Sequence, residues 1–239
     1  MTLQLSDLEP FARGGNRLCF VHPLHADRCV KVRRPDRPLE QLRSQKGFPK
    51  NLKPLSSFDD NLEEFQVMEK LRNRYGDPIF KLVSQCYGFE ETDLGRGITS
   101  ELIRDSNGPI SHTLKQYLWD HGYTTPCQRV VETFCQQWIA LAVPSRDLIL
   151  HNIVVQCDEL GNPLRLVIID GLGTPNLLPD WLQPLAYRRK KARRKVLNLQ
   201  QRIEELLSQR GADSFPGYHG QLFHNGMDNH ANSSGDKPS

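Results

Sequence analysis

The segment Arg146–Asn152 and the later dipeptide Asp170-Gly171 contain the residues best suited to chemistry. Asn152 lies five residues after Asp147, and two apolar runs separate it from Asp170. A carboxylate in a short loop can orient an acceptor hydroxyl and take its proton. Carboxylate and amide oxygens are hard ligands of the kind that magnesium prefers. The order and spacing therefore indicate phosphoryl transfer, with Asp147 as the catalytic base and Asn152 and Asp170 as metal ligands. Taken singly, each is equally consistent with a cap or turn residue.

Lys31 is a second candidate site residue. In residues 29–32, Cys-Val-Lys-Val, the alternation of a strand puts the lysine on the face opposite the two valines. A lone strand lysine is usually a solvated edge residue, but a lysine followed by a helix with a suitable glutamate can hold nucleotide phosphates. Glu64 lies at the border of the apolar stripe of such a helix. We therefore predict a Lys31–Glu64 pair, in preference to Glu63 or Glu69.

Two further segments are candidates for nucleotide contacts. Residues 11–17 contain Gly14 and Gly15, whose backbone N–H groups could approach phosphates. They could equally form an ordinary tight turn, and the pattern G-x-G-x-x-G is absent. Glu101 and Ile103 lie near the end of a predicted strand, and the resemblance of the Asp147, Asn152 and Asp170 pattern to protein kinases implies that main-chain atoms there recognise adenine at a hinge between two lobes.

The elements that must position these residues follow from apolar periodicity and turn signals. We predict strands at 17–22, 28–34, 79–90 and 97–104, helices at about 60–74 and from Thr125 onward, a hairpin of 153–155 with 164–169, and a last helix at 185–209. This order is not the βαβ alternation of a dinucleotide-binding sheet. Residues 33–55 carry four prolines and seven basic against two acidic residues, which indicates a long basic insertion.

This layout resembles a protein-kinase catalytic centre, H-R-D-x-x-x-x-N followed by D-F-G, with V-A-I-K on an earlier strand. More specifically, the chain is similar to the bacterial YrbL family, the PhoP regulatory network proteins, over roughly residues 8 to 205. The resemblance lies in the runs 14–23, 29–32, 147–152 and 170–173, which read Gly-Gly-Asn-Arg-Leu-Cys-Phe-Val-His-Pro, Cys-Val-Lys-Val, Asp-Leu-Ile-Leu-His-Asn and Asp-Gly-Leu-Gly. It implies a kinase-like fold in a bacterial cytoplasm and a link to envelope or cation stress.

Three features depart from ordinary protein kinases. Ser145 stands where the catalytic-loop histidine would be, and Ile149 stands where Ser/Thr kinases often have lysine. No A-P-E-like signal follows Asp170, so a full platform for substrate peptides is not expected. Small-molecule kinases are therefore better models.

The predicted fold class is α+β, a small bilobal protein-kinase-like fold. Residues 1–104 would form a mostly β N-lobe with the insertion 33–55, and residues 105–210 a reduced, mostly helical C-lobe. Residues 211–239 are rich in Gly, Asn, Ser, His and Asp and are predicted to be disordered.

The sequence leaves three functional hypotheses open. The first is a phosphotransferase that uses ATP and Mg²⁺ to modify a small-molecule, lipid, sugar or protein hydroxyl. The second is a nucleotide-binding pseudokinase that acts as a regulator. The third is a protein that binds phospholipid, nucleic acid or another polyanion through Arg188–Lys195, where seven of eight residues are cationic. An ordinary solvated surface would account equally well for that segment.

The composition of the 239 residues narrows the cellular setting. A net charge of +3 is too small to imply a nucleic-acid partner by itself. No apolar run is long enough to span a membrane, and the first residues do not resemble a signal peptide. The six cysteines are scattered without a C-x-x-C pair, which is typical of reduced thiols. We therefore expect a cytoplasmic protein without a transmembrane segment.

Overall fold

The N-terminal part of the chain forms a five-stranded antiparallel sheet with the order β1-β2-β3-β5-β4. The computed structural model describes residues 2–172, 183–212 and 214–227. In chain order the strands are β1 (Ala12–Arg13), β2 (Arg17–His22), β3 (His25–Arg33), β4 (Cys86–Thr92) and β5 (Gly95–Glu101). The central strand is β3, which carries Lys31.

The faces of β3 differ as its alternating sequence predicts. Val30 and Val32 are fully buried in the small apolar cluster formed with the N-terminal leucines. Opposite them on β5 lies Gly97, where an added Cβ would come within 2.7 Å of Val30 Cγ1, so only glycine fits. Cys29 and Lys31 project from the other face. The strand therefore directs Lys31 toward the C-terminal part of the chain.

Two helices connect β3 to β4: α1 (Leu39–Ser44), within the basic insertion, and α2 (Asp60–Tyr75). The side chain of Asp59 caps α2 by accepting hydrogen bonds from the Asn61 and Leu62 N–H groups, at 3.1 and 3.5 Å. Met68 and Leu71 are buried on the inner face of α2. Glu64 lies one turn before Met68 on that face, so the packing of α2 directs its carboxylate inward.

The C-terminal part is mainly helical around one hairpin. Its elements are α3 (Leu114–His121), α4 (Thr125–Leu141), β6 (Ile153–Cys157), β7 (Pro163–Ile168) and α5 (Leu185–Ser208). Phe134 and Trp138 of α4 are buried at its centre. The last predicted helix is present as α5, and one of its faces is buried against the rest of this part at helical spacing through Ala192, Val196, Leu199, Ile203 and Leu206.

The two parts share one core and meet along the segment before β4. Ile168 donates its N–H to the Leu82 carbonyl at 2.8 Å, and Ser84 donates to the Ile168 carbonyl at 2.9 Å. Met68 and Ile98 of the N-terminal part belong to the same apolar cluster as Trp138. The end of β7 is thereby fixed beside the sheet. The predicted α+β bilobal architecture is confirmed.

The structure corrects two sequence predictions. The strand predicted at 79–90 begins only at Cys86, because Gly76 and Pro78 favour a 3₁₀ turn over Asp77–Lys81 instead. The tail predicted to be disordered is ordered over residues 214–227, which bond to both parts of the chain. Gly173 and residues 228–239 lie outside the described residues. No helix in the described part is long and apolar enough to cross a membrane.

Candidate active site

Lys31 and Glu64 form an ion pair in the cleft between the two parts. Lys31 Nζ donates to Glu64 Oε1 at 2.7 Å and to the Ile169 carbonyl, also at 2.7 Å. Burial opposes the charge on Lys31, but the Glu64 carboxylate outweighs it and raises the pKa of Lys31 above its ordinary value. Glu63 contacts Arg146 at the surface, and Glu69 contacts Arg72. The structure thus pairs Lys31 with the glutamate that the sequence favoured.

Arg17 also belongs to the site and was missed by the sequence interpretation. Arg17 Nη2 donates to Asp170 Oδ2 at 2.6 Å, and Nη1 contacts Glu64 and donates to Asn61 Oδ1 at 3.2 Å. Burial disfavours its charge, but Asp170 and Glu64 raise the pKa of Arg17 well above the ordinary value. Arg17 shares a face of the sheet with Lys31, since Cys19 pairs with Lys31 and Arg17 lies two residues before Cys19.

Asn152 and Asp170 lie side by side across a backbone link. Ile169 donates its N–H to the Asn152 carbonyl at 2.9 Å, and Asp170 Oδ1 accepts from the Gly171 N–H at 2.6 Å. Burial raises the pKa of Asp170, but Arg17 and Lys31 outweigh this and hold it well below its usual range. Gly171 has a φ of +77°, and a Cβ there would lie 2.4 Å from Asn152 Nδ2. Glycine therefore lets Asn152 approach Asp170.

These donors are of the kind that would hold a magnesium ion together with phosphate oxygens. The described residues contain no group of three or more His, Cys, Asp or Glu that could hold a metal alone. Magnesium is usually bound through one or two carboxylates together with substrate phosphates. Asp170, with the amide oxygen of Asn152, supplies that kind of partial set.

Asp147 lies in the predicted loop, but its carboxylate contacts α5. Asp147 Oδ2 accepts from Arg202 Nη2 at 2.6 Å, Oδ1 lies 3.9 Å from Lys195 Nζ, and Oδ1 accepts from the Leu148 N–H at 3.0 Å. Burial raises the pKa of Asp147, but Arg202 and Lys195 outweigh it and lower the pKa. Arg202 is a second residue that sequence reasoning missed, since periodicity predicts the buried face of α5 but not its ion pairs.

A polar cavity of about 300 Å³ holds most of the predicted residues. Its lining includes Gly14, Gly15, Glu64, Asn152 and Asp170, but not Asp147. Gly14 donates its N–H to the Arg17 carbonyl at 2.9 Å, forming a tight turn, and Arg34 Nη1 donates to the Gly15 carbonyl at 3.0 Å. The glycine turn therefore forms one wall of a cavity whose other wall carries Asn152 and Asp170.

A second, mostly apolar cavity of about 140 Å³ lies in the same cleft, and Lys31 is part of its lining. Its walls include Glu101 and Ile103, which were predicted at the hinge. Glu101 donates its N–H to the Gln85 carbonyl at 2.7 Å. The Ile103 carbonyl accepts from Ser111 at 3.0 Å, while no described residue accepts from the Ile103 N–H. The backbone of Glu101 and Ile103 therefore lies beside an apolar space that adjoins the polar cavity.

Residues 214–227, here called the C-terminal strap, cross this apolar cavity. Thr113 Oγ1 donates to the Gly220 carbonyl at 2.6 Å, and Phe223 donates its N–H to the Phe11 carbonyl at 2.8 Å. The rings of His219 and His151 stack with centroids 5.2 Å apart. Burial, His219 and Lys115 lower the pKa of His151 to about 4.

The arrangement defines a kinase-like fold: a five-stranded sheet with a lysine on its third strand, a helix that supplies the paired glutamate, the loop from Asp147 to Asn152, and the Asp170-Gly171 turn after β7. The chain belongs to the YrbL family, because the model for "PhoP regulatory network protein YrbL" matches residues 3–204. The family predicted from the sequence is thereby confirmed.

Two curated relatives share this similarity, and both are titled "Uncharacterized protein YrbL". They come from Escherichia coli K12 and Shigella flexneri, and each is 22% identical over 175 residues, which covers 66% of this chain and 73% of the relative. Among solved structures, Rad53 1–466 in complex with AMP-PNP matches at 14% identity and a TM-score of 0.45. The match covers 87% of this chain and 48% of that one, so the chain spans about half of its length.

Proposed function

We propose that the chain is a nucleotide-dependent phosphotransferase of the YrbL family that uses ATP and magnesium. One observation carries the proposal: the buried Lys31–Glu64 pair lies in the same cleft as Asn152 and Asp170. A lysine held by a glutamate in this way binds the phosphates of ATP in protein kinases. The phosphoacceptor would be a hydroxyl on a small molecule, a lipid or sugar headgroup, or a limited protein target.

Each residue has a distinct task in this proposal. Lys31 contacts the α- and β-phosphates, and Glu64 keeps its ammonium group in place. The Gly14-Gly15 turn covers the phosphates, while backbone atoms of Glu101 and Ile103 face the base. Asn152 and Asp170 would hold magnesium, which supplies charge neutralisation at the phosphates when bound.

Asp147 would orient the acceptor hydroxyl and take its proton. Its lowered pKa keeps the carboxylate ionised, as a proton acceptor requires. The ion pair between Asp147 and Arg202 must break, or both side chains must rotate together, before the Asp147 carboxylate can face the polar cavity.

That ion pair also supports a second candidate, a nucleotide-binding pseudokinase that acts as a regulator. In this case Asp147 would fix the position of α5 through its ion pairs and would have no catalytic role. Calorimetric titration with ATP, with and without magnesium, followed by an ATP-consumption assay on the same sample, separates the candidates. Binding with turnover supports the phosphotransferase, and binding without turnover supports the regulator. The absence of binding would eliminate both.

The cluster of cations near the start of α5 suggests that the protein also binds an anionic partner. The exposed cations of α5 are Arg189, Lys190, Arg193 and Arg194, here called the basic face. Lys195 belongs to the segment Arg188–Lys195 that was predicted to bind a polyanion, but it turns inward to Asp147 and the Arg146 carbonyl. Exposed Tyr187 and Leu197 adjoin the basic face. Cations beside exposed apolar side chains are suited to anionic lipid headgroups.

Vesicle co-sedimentation tests the basic face. Changing its four cations to Gln should weaken binding to phosphatidylglycerol-rich vesicles, and wild-type binding should fall with salt. A variant with Gln at four exposed lysines elsewhere (Lys46, Lys50, Lys53 and Lys70) has the same net charge and should bind nearly as wild type. Equal losses in both variants would show that only net charge matters, and no wild-type binding at low salt would exclude the lipid partner.

A further inference from the structure

The guanidinium of Arg17 already occupies the carboxylate that the proposed function assigns to magnesium. Arg17 is 8% exposed, and its Nη2 donates to Asp170 Oδ2 at 2.6 Å. Its Nη1 reaches Glu64 and Asn61 on α2. One side chain therefore ties together the glycine turn, α2 and the end of the β7 hairpin.

Four charged side chains of the cleft form one ion-pair network with no net charge. Lys31 and Arg17 supply two cations, and Glu64 and Asp170 supply two carboxylates. Arg17 contacts Oδ2 of Asp170, whose side chain is 46% exposed. A divalent cation bound to the same carboxylate would lie next to the Arg17 guanidinium, and the two like charges would repel each other. The metal and Arg17 therefore compete for Asp170.

Nucleotide phosphates offer Arg17 a replacement partner. Arg17 lines the polar cavity with Gly14 and Gly15, the turn that would cover the phosphates. The planar guanidinium binds phosphate oxygens through paired hydrogen bonds. Arg17 can therefore exchange Asp170 for phosphate within the same cavity.

We propose that Arg17 competes with magnesium for Asp170 and passes to the phosphates when nucleotide binds. This inference rests on the proposed function. The competition makes the affinity of the cleft for magnesium low without nucleotide and high only when nucleotide is bound. If Arg17 only held the structural elements together, its replacement would weaken the binding of both metal and nucleotide.

Metal and nucleotide titrations of R17Q distinguish the two roles. Mn²⁺ binding, followed by water-proton relaxation, should tighten by about tenfold, the size of a typical coupling between competing ligands. Binding of ADP without metal should weaken by a similar factor. R34Q is the matched control, since Arg34 holds the glycine turn without touching Asp170, and it should not tighten Mn²⁺ binding. R17K keeps a cation and should restore part of the metal-free ADP affinity.

Unchanged or weaker Mn²⁺ binding in R17Q, with R17K behaving alike, would overturn the inference. Circular dichroism checks that both variants fold, and D170N identifies the Mn²⁺ signal that belongs to Asp170. Failure of the wild type to bind ADP under any condition would instead refute the proposed nucleotide function. The Mn²⁺ comparison would still decide the competition at Asp170.

The C-terminal strap carries a second, independent inference. Leu222 packs in the apolar cluster of Phe11, Val21, Cys29, Leu102 and Ile110, which adjoins the hinge. The strap is tied on one side to Phe11 and on the other to Thr113 and Lys115. The apolar cavity of about 140 Å³ is lined on this side by the strap itself, through Gly220, Gln221 and Leu222.

The geometry points to an autoinhibitory strap, with Leu222 filling the space that a nucleobase needs. Nucleotide can then bind fully only after residues 219–223 leave the cleft. The affinity of the free cleft is reduced by the fraction of molecules in which the strap is closed. This inference also rests on the proposed function.

Fluorescent ATP-analogue binding to L222Q tests the strap. The variant should bind the analogue about tenfold more tightly than wild type, whereas F223Q should match wild type, because Phe223 is 60% exposed. Hydrogen exchange at the Phe223 and Ile110 amides should accelerate in L222Q and in nucleotide-bound wild type. Equal or weaker binding by L222Q would show that the strap is part of the pocket wall and overturn the inference. If no variant binds the analogue, the proposed nucleotide function fails, and unchanged exchange in L222Q would count against the closed strap.

Discussion

Replacing Glu64 by Gln should destabilise the protein by removing the shared partner of two buried cations. Glu64 accepts from Lys31 and contacts Arg17, and all three side chains are 11% exposed or less. Gln keeps the size of the side chain but not its charge. The perturbation therefore isolates the electrostatic contribution of the ion pairs.

The size of the effect follows from what each cation retains. Removing one partner of a buried ion pair typically costs about 3–5 kcal/mol. Arg17 keeps Asp170, and Lys31 keeps the Ile169 carbonyl, so E64Q should lie at the lower end, near 3 kcal/mol. E63Q is the matched control on the same helix. The Glu63–Arg146 pair is exposed at 41% and 54%, and losing it should cost less than about 1 kcal/mol.

Urea denaturation, followed by circular dichroism, measures both variants. A double-mutant cycle with K31Q should give a coupling energy of about 1–3 kcal/mol between Lys31 and Glu64. The reasoning would be refuted by equal stabilities of E64Q and E63Q, or by a coupling energy near zero.

Three further predictions concern the loop from Asp147 to Asn152 and its surroundings. D147A should leave ADP affinity unchanged and reduce ATP turnover by about 10²–10⁴-fold, and equal rates would favour the regulator. G171A should destabilise the protein and weaken magnesium-dependent binding, because its Cβ would clash with Asn152; calorimetry showing wild-type binding would contradict this. The pKa of His151 is about 4 when folded and about 6.5 when unfolded, so stability should fall as pH drops through that window. Urea titrations should show a smaller loss in H151Q, and equal losses would exclude His151 as the cause.

Much of the site could be predicted because it depends on local periodicity. Strand alternation fixed the face of Lys31, and helical spacing placed Glu64 beside Met68 on the inner face of α2. The short spacing between Asp147 and Asn152 predicted that both residues lie in one loop. These features need only the geometry of one element, which a single sequence contains.

The rest depends on contacts between distant segments. Arg17 reads as a surface charge at the start of a strand, and its partner Asp170 lies 153 residues away. In the sequence, Arg202 is one polar residue of a predicted helix, and the neighbouring residues do not indicate its ion pair with Asp147. The strap is polar and rich in glycine, yet backbone carbonyls at Gly220 and His219 anchor it, and composition cannot reveal such bonds.

The dissociation constant of magnesium-ADP for wild type and K31M tests the central claim most directly. Lys31 Nζ lies between Glu64 and the Ile169 carbonyl in the cleft, so its loss should weaken binding by at least about tenfold, the factor expected for a charge-assisted phosphate contact. K70M, which removes an exposed lysine from α2, should bind as wild type. Equal affinities of wild type and K31M, or no binding by either wild type or L222Q, would contradict a nucleotide site at this cleft.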